Sequence, residues 1–265
     1  MTFQPASAAL SWSSFLLQAR IAFVTDVFEF VEKYSEYMKL GLLSGLLALL
    51  FAIDVNGQVK SVSVPLHKSG DTTGHYKIQR ERIVRMKMRD PLVFRDSFLL
   101  RISNESWSVE VISADLKTFG GQQYFFTKQV VPSGGPEGKE LLFKTKPMSQ
   151  SQALAVYEAF KKYSVASIPS ERDIAGWPLG ADGVSYLIEH SGPSTYSFKS
   201  YWEPSSQRYR LKQAEAVDNF VKEVEVKLEL ATSFLAFLNK LPAGTYQTGG
   251  MNVYTNTSKK QKTRK

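Results

Sequence analysis

The sequence predicts an α+β domain: an antiparallel β-sheet with a mid-chain helix and a long C-terminal helix packed on one face. Three observations predict it. Segments of period-two alternation follow one another from about residue 59 to 146, joined by loops too short for parallel crossovers. A capped helical pattern then begins at Ser149, and a longer one runs from about Leu211 to Asn239. Strands and helices are thereby segregated along the chain, the order expected when helices layer on an antiparallel sheet.

In order, "VKSVSVPL" reads as a first strand with Val62, Val64 and Leu66 on one side. "YKIQRERIVRMKMRD" reads as a second, because Val84, Met86 and Met88 alternate with Arg85, Lys87 and Arg89. "FRDSFLLRIS", "WSVEVISADLK", "QYFFTKQVV" and "ELLFKTK" follow, divided by turn-rich pieces. In the first helix Leu154, Tyr157, Phe160 and Tyr163 share a face. "GVSYLIEH" and "TYSFKSYW" form a hairpin about "SGPS". In its second strand Tyr196, Phe198 and Trp202 take one face, and Lys199 and Tyr201 the other. The long helix keeps apolar residues three or four apart from Ala214 to Leu238, with Thr232 and Ser233 as its expected weak point. Pro242 and Gly244 stop it. Tyr246 and Tyr254 mark a short final strand.

The same reading divides the chain into four parts. Residues 58–257 form the single α+β domain, and 258–265 a basic disordered tail carrying Lys259, Lys260, Lys262, Arg264 and Lys265. Segment 38–57 reads as a signal peptide or a short membrane anchor. Its uncharged run 40–53 would span about 21 Å as a helix, short of a bilayer core, and it follows Met38-Lys39. Residues 1–37 carry Arg20 and Lys33 against four acidic residues, a poor leader, so the expected start is Met38 with 1–37 a mis-called extension. The expected localisation is therefore exported, periplasmic or extracellular, with a membrane-anchored form if 40–53 is retained.

Composition narrows the chemistry. The chain of 265 residues has net charge +8 and no cysteine, which removes disulfides, thiol nucleophiles, zinc–thiolate sites and lipoprotein attachment. His67, His75 and His190 lack metal-site spacing and read as exposed loop residues, so no metal and no cofactor is expected. "DTTGH" has no second copy to complete a carboxylate dyad, and "GGPEGKE" with Lys139 lacks the spacing of a phosphate-binding loop. Asn104 and Asn256 begin glycosylation sequons.

Two regions remain. Between 171 and 204, Asp182, Glu189 and Glu203 interleave with Trp177, Tyr186, Tyr196, Tyr201 and Trp202. Carboxylates among aromatic rings suit a glycan-acting hydrolase or a carbohydrate-binding module. The structural reading makes the same rings strand formers, with Glu189 facing Lys199 across the hairpin. Arg80, Arg82, Arg85, Lys87 and Arg89 form the second region, a basic strand face for an anionic partner such as an envelope polymer, or for a protein. Nucleic acid is not expected. The expected role is non-enzymatic binding or assembly in the cell envelope, the alternative a secreted hydrolase using the three carboxylates.

Overall fold

In the computed structural model, residues 60–66, 70, 72–130, 141–178, 180, 182–249 and 252–257 are described. The expectations for 1–37, for the signal or anchor 38–57, for the tail 258–265, for His67 and for Lys139 lie outside them.

Strand pairing is antiparallel wherever loops are short. β2 (Phe98–Ser103) and β3 (Trp107–Ser113) form a hairpin, β3 pairs β4 (Gly120–Val130), and β4 pairs β5 (Leu141–Met148). β2 also pairs β6 (Ser185–Ser191), which turns back as β7 (Thr195–Trp202). A last hairpin, β8 (Gly244–Gly249) and β9 (Asn252–Asn256), joins the end of β4. With β1 at Ser61–Ser63, the order is β1-β7-β6-β2-β3-β4-β8-β9, with β5 on β4. The first strand departs from expectation: β1 is only Ser61–Ser63 and runs parallel to β7.

One face of this sheet carries the main core. Phe98, Leu100 and Ile102 of β2, Trp107, Val109 and Val111 of β3, Phe125 of β4 and Ile188 of β6 are buried there. Against them pack α2 (Gln150–Lys162), α4 (Lys212–Leu228) and α5 (Leu230–Leu238). Each such aliphatic or aromatic side chain contributes about 1.5–3 kcal/mol by leaving water. α2 begins at Ser149 as expected, with a capping box closed by Gln152. Its buried stripe is Ala153, Val156, Ala159 and Phe160, while Leu154 turns outward.

The other face corrects two expectations. "YKIQRERIVRMKMRD" is not a strand: α1 (Gly74–Arg85) is a helix capped by Thr73. Tyr76, Gln79, Ile83 and Met86, three or four apart, turn toward the sheet, and Ile83, Met86 and Met88 cover Tyr124 and Phe126. A glutamine in the stripe hid the helical period, and the Val84–Met86–Met88 alternation covers only the helix end and the loop beyond it. Helices consequently lie on both faces, not one.

The long C-terminal helix is also divided. Glu229 adopts left-handed dihedrals (φ 51°), ending α4 and starting α5 three residues before the expected weak point at Thr232. A short turn of helix, α3 (Pro204–Gln207), precedes α4.

Gln123 of β4 is an anomaly on the main-core face. It is 0% exposed, and neither amide oxygen nor nitrogen has a hydrogen-bond partner among the described residues. An unpaired buried amide costs about 1–3 kcal/mol. Gln123→Met keeps the length and removes the polar atoms, so it is expected to raise stability by about 1–2 kcal/mol, read as a higher urea midpoint with an unchanged slope.

Candidate functional site

Register sets three charged side chains in a row across the middle of the α1-covered face. Arg101 of β2 stands opposite Glu110 of β3 on one side and opposite Glu189 of β6 on the other. All three are 0% exposed. Arg101 donates to Glu110 at 2.7 Å and to Glu189 at 2.6 Å. Burial alone would lower the Arg101 pKa, but the two carboxylates more than reverse it and leave it raised. Gln79 of α1 donates to Glu189 at 2.8 Å, and the Tyr196 hydroxyl donates to its other oxygen at 2.8 Å. Arg89 reaches Glu110 from the rim at 3.1 Å. Lys60 closes the far end of this face, donating to Ser191 and to the Pro91 carbonyl.

Glu189 is thus a buried ion-pair member. The hairpin places it beside Phe198, and Lys199 beside Ile188, so Glu189 and Lys199 lie on opposite faces and do not meet. Lys199 instead donates to the Val165 and Ala166 carbonyls, and burial lowers its pKa to about 8.

Glu203 and Asp182 sit at the open end of the same hairpin. Glu203 (φ 44°) accepts from the Val184 amide, and a Cβ on Gly183 (φ 126°) would clash with its carboxylate. Asp182 is exposed, and its carbonyl accepts from the Trp202 indole at 3.0 Å. Gly180 lies flat against the Trp202 ring, where a Cβ would fall 2.2 Å from a ring carbon. Glu171, which sequence reasoning passed over, is buried and accepts from the Ser200 hydroxyl at 2.9 Å and from the Trp202 amide. The aromatic residues of the region are similarly occupied. Trp177 and Tyr201 lie in the main core 5.6 Å apart, and Tyr196 lies under α1. Tyr186 packs at the core margin with its hydroxyl toward Glu225 at 3.4 Å.

The basic residues separate into two groups once α1 is a helix. Arg80 is held bidentately by Asp90 at 2.7 Å and 2.7 Å, and Arg89 by Glu110. Lys87 follows the helix in left-handed conformation (φ 52°), exposed. Arg82 and Arg85 turn to the opposite flank, where they line a groove of about 230 Å³ with Lys128 of β4. Ile78, Phe126 and Leu141 supply its apolar lining, and Glu81 and Glu105 its acidic members. Arg82 lies over the Phe126 ring, 4.7 Å from its centroid, and donates to the Asn104 carbonyl at 2.8 Å. Burial lowers its pKa to about 10, partly opposed by Glu105. No carboxylate accepts from it among the described residues.

The histidines also differ from expectation. His75 lies in the first turn of α1 and His190 inside β6, neither in a loop. Asn104 accepts from the Ser106 and Trp107 amides, and Asn256 donates to the Leu241 carbonyl, so both sequon side chains are turned inward. Among the described residues, no cluster of three or more His, Cys, Asp or Glu could hold a metal ion, and no helix is long and apolar enough to cross a membrane.

The chain matches no family model, no curated protein and no solved structure. The signal for Arg101 and Glu110 was present in "FLLRIS" and "WSVEVIS": a charge at the centre of a strand with apolar residues on both its faces.

Proposed function

We propose that this is a non-enzymatic binding or assembly protein, exported to the periplasm or beyond, that meets an anionic partner through the α1 side of its sheet. One observation carries the reading: Arg82, Arg85 and Lys128 converge on one groove against Glu81 and Glu105, an excess of one positive charge, while Arg80 and Arg89 are neutralised within the domain. A cationic concavity with partly desolvated walls concentrates field and draws anions. The carboxylates support binding over hydrolysis, since Glu189 is held by Arg101, Gln79 and Tyr196, and Glu203 by a backbone amide. The exported setting rests on the apolar run 40–53 behind Lys39.

The test is binding to an immobilised anionic polymer, dextran sulfate, at low salt. The full chain is expected to bind with an affinity that falls steeply with salt. The Arg85→Glu, Lys128→Glu double variant, altering two exposed side chains, is expected to bind at least tenfold more weakly. Equal binding by the variant, or none by the native chain, would remove the proposal.

A further inference from the structure

The groove's composition is more specific than a general basic surface. We infer that it is a binding site for a small amphiphilic acid, one carboxylate on an apolar chain, with Arg82 as the anchor of the head group. This rests on the α1 side being the ligand-facing side.

The anchor is pre-organised. Phe126 and the Asn104 carbonyl fix the Arg82 guanidinium from beneath and from one side. Its remaining N–H groups have no partner among the described residues, and Arg82 lines the groove. A planar fork with free donors matches a carboxylate two bonds at a time. Arg82 differs in this from Arg80, Arg89, Arg101 and Arg208, each of which already holds a carboxylate.

The neighbours select the charge. Glu81 lies 3.8 Å from Arg85, and Glu105 accepts from the Ser185 amide at 3.3 Å. Glu81 and Glu105 offset two of the groove's three cations, Arg82, Arg85 and Lys128, and leave one positive charge, which a head group of charge −1 neutralises and a phosphate dianion exceeds. The walls select the tail. Ile78, 49% exposed, and the half-buried Leu141 offer apolar surface beside the guanidinium, while Phe126, 1% exposed, lies beneath it. About 230 Å³ holds about eight water-sized groups, the size of a six- to eight-carbon acid.

Isothermal titration of the full chain with sodium octanoate tests this, with acetate and octanol as the head-only and tail-only probes. Octanoate is expected to bind at least tenfold more tightly than either. Arg82→Met, which keeps the stem over Phe126, is expected to lose at least tenfold in octanoate affinity. Ile78→Glu alters only an exposed groove wall, so it keeps a native melting temperature while abolishing binding, and it covers the case in which Arg82→Met fails to fold. No heat with octanoate, or equal affinity for Ile78→Glu and the native chain, would overturn the assignment. If octanoate fails while dextran sulfate binds through Arg85 and Lys128, the anionic-partner reading stands and only the acid-binding site falls. If octanoate binds and dextran sulfate does not, the site stands and the polymer partner falls.

Discussion

Replacing Arg101 by methionine is expected to cost about 3–5 kcal/mol, a large share of the roughly 5–15 kcal/mol that holds an ordinary domain folded. The guanidinium is the cation between two carboxylates that are themselves 0% exposed. Removing it leaves Glu110 with only the rim residue Arg89, and Glu189 with the neutral donors Gln79 and Tyr196. Buried charge without a counter-charge is the costliest defect a core carries. The companion variant removes all three charges together: Arg101→Met with Glu110→Gln and Glu189→Gln. The glutamines keep an acceptor for Tyr196, so this triple variant is expected to recover most of the loss, as whole buried ion sets do when neutralised. Urea unfolding of both variants checks the pair. A triple variant at least as unstable as Arg101→Met alone would show that the row is not an interdependent unit.

Acid is expected to weaken the fold through His190 between about pH 6.5 and 4. His190 stands between Phe98 and Phe160, with ring centroids at 5.4 and 5.3 Å. Burial, then the charge on Lys199, pulls its pKa down to about 4 from 6.5. Between these values the unfolded chain binds the proton and the folded chain does not. Stability is therefore fully present above pH 6.5 and is lost as pH falls toward 4, by about 3 kcal/mol over the window. His190→Phe removes the titrating group and keeps a ring against Phe98 and Phe160. Its unfolding free energy is expected to be nearly flat over the same range, where the native protein slopes. Parallel slopes for the two proteins would refute the role. Asp90 and Glu223, whose pKa values are lowered chiefly by hydrogen bonds to Arg80 and Lys162, lose their contributions only at lower pH, through the carboxylate range.

The fold was legible where local chemistry and tertiary packing agree. Ser149 and Gln152 announce α2 by their side chains, and the alternation in β2, β3, β6 and β7 matches the faces those strands present. It was illegible where a polar residue occupies a buried position. Gln79 sits in the α1 stripe because Glu189 needs a donor, and the stripe without it reads as alternation. Glu229 divides the long helix through backbone conformation, which no side-chain period reports. Of the charged row and the groove, Glu189, Arg82, Arg85 and Arg89 were named in advance and Arg101, Glu110 and Lys128 were not, and the roles of all depend on register. Glu189 meets Arg101, not Lys199, because β2 lies beside β6 in the sheet, a pairing that no local pattern encodes. Arg82 separates from Arg80 because a helix turns the two to different flanks where a strand would align them.

The parallel pairing of β1 with β7 bears on the order in which the molecule assembles. Ser61 aligns with Thr195, and Lys60 bonds a residue 131 positions downstream. Closing so large a loop is entropically slow, and the β6–β7 hairpin must exist before the early segment has any neighbour to join. The first described strand to be synthesised therefore waits for β7 before it has an edge to join.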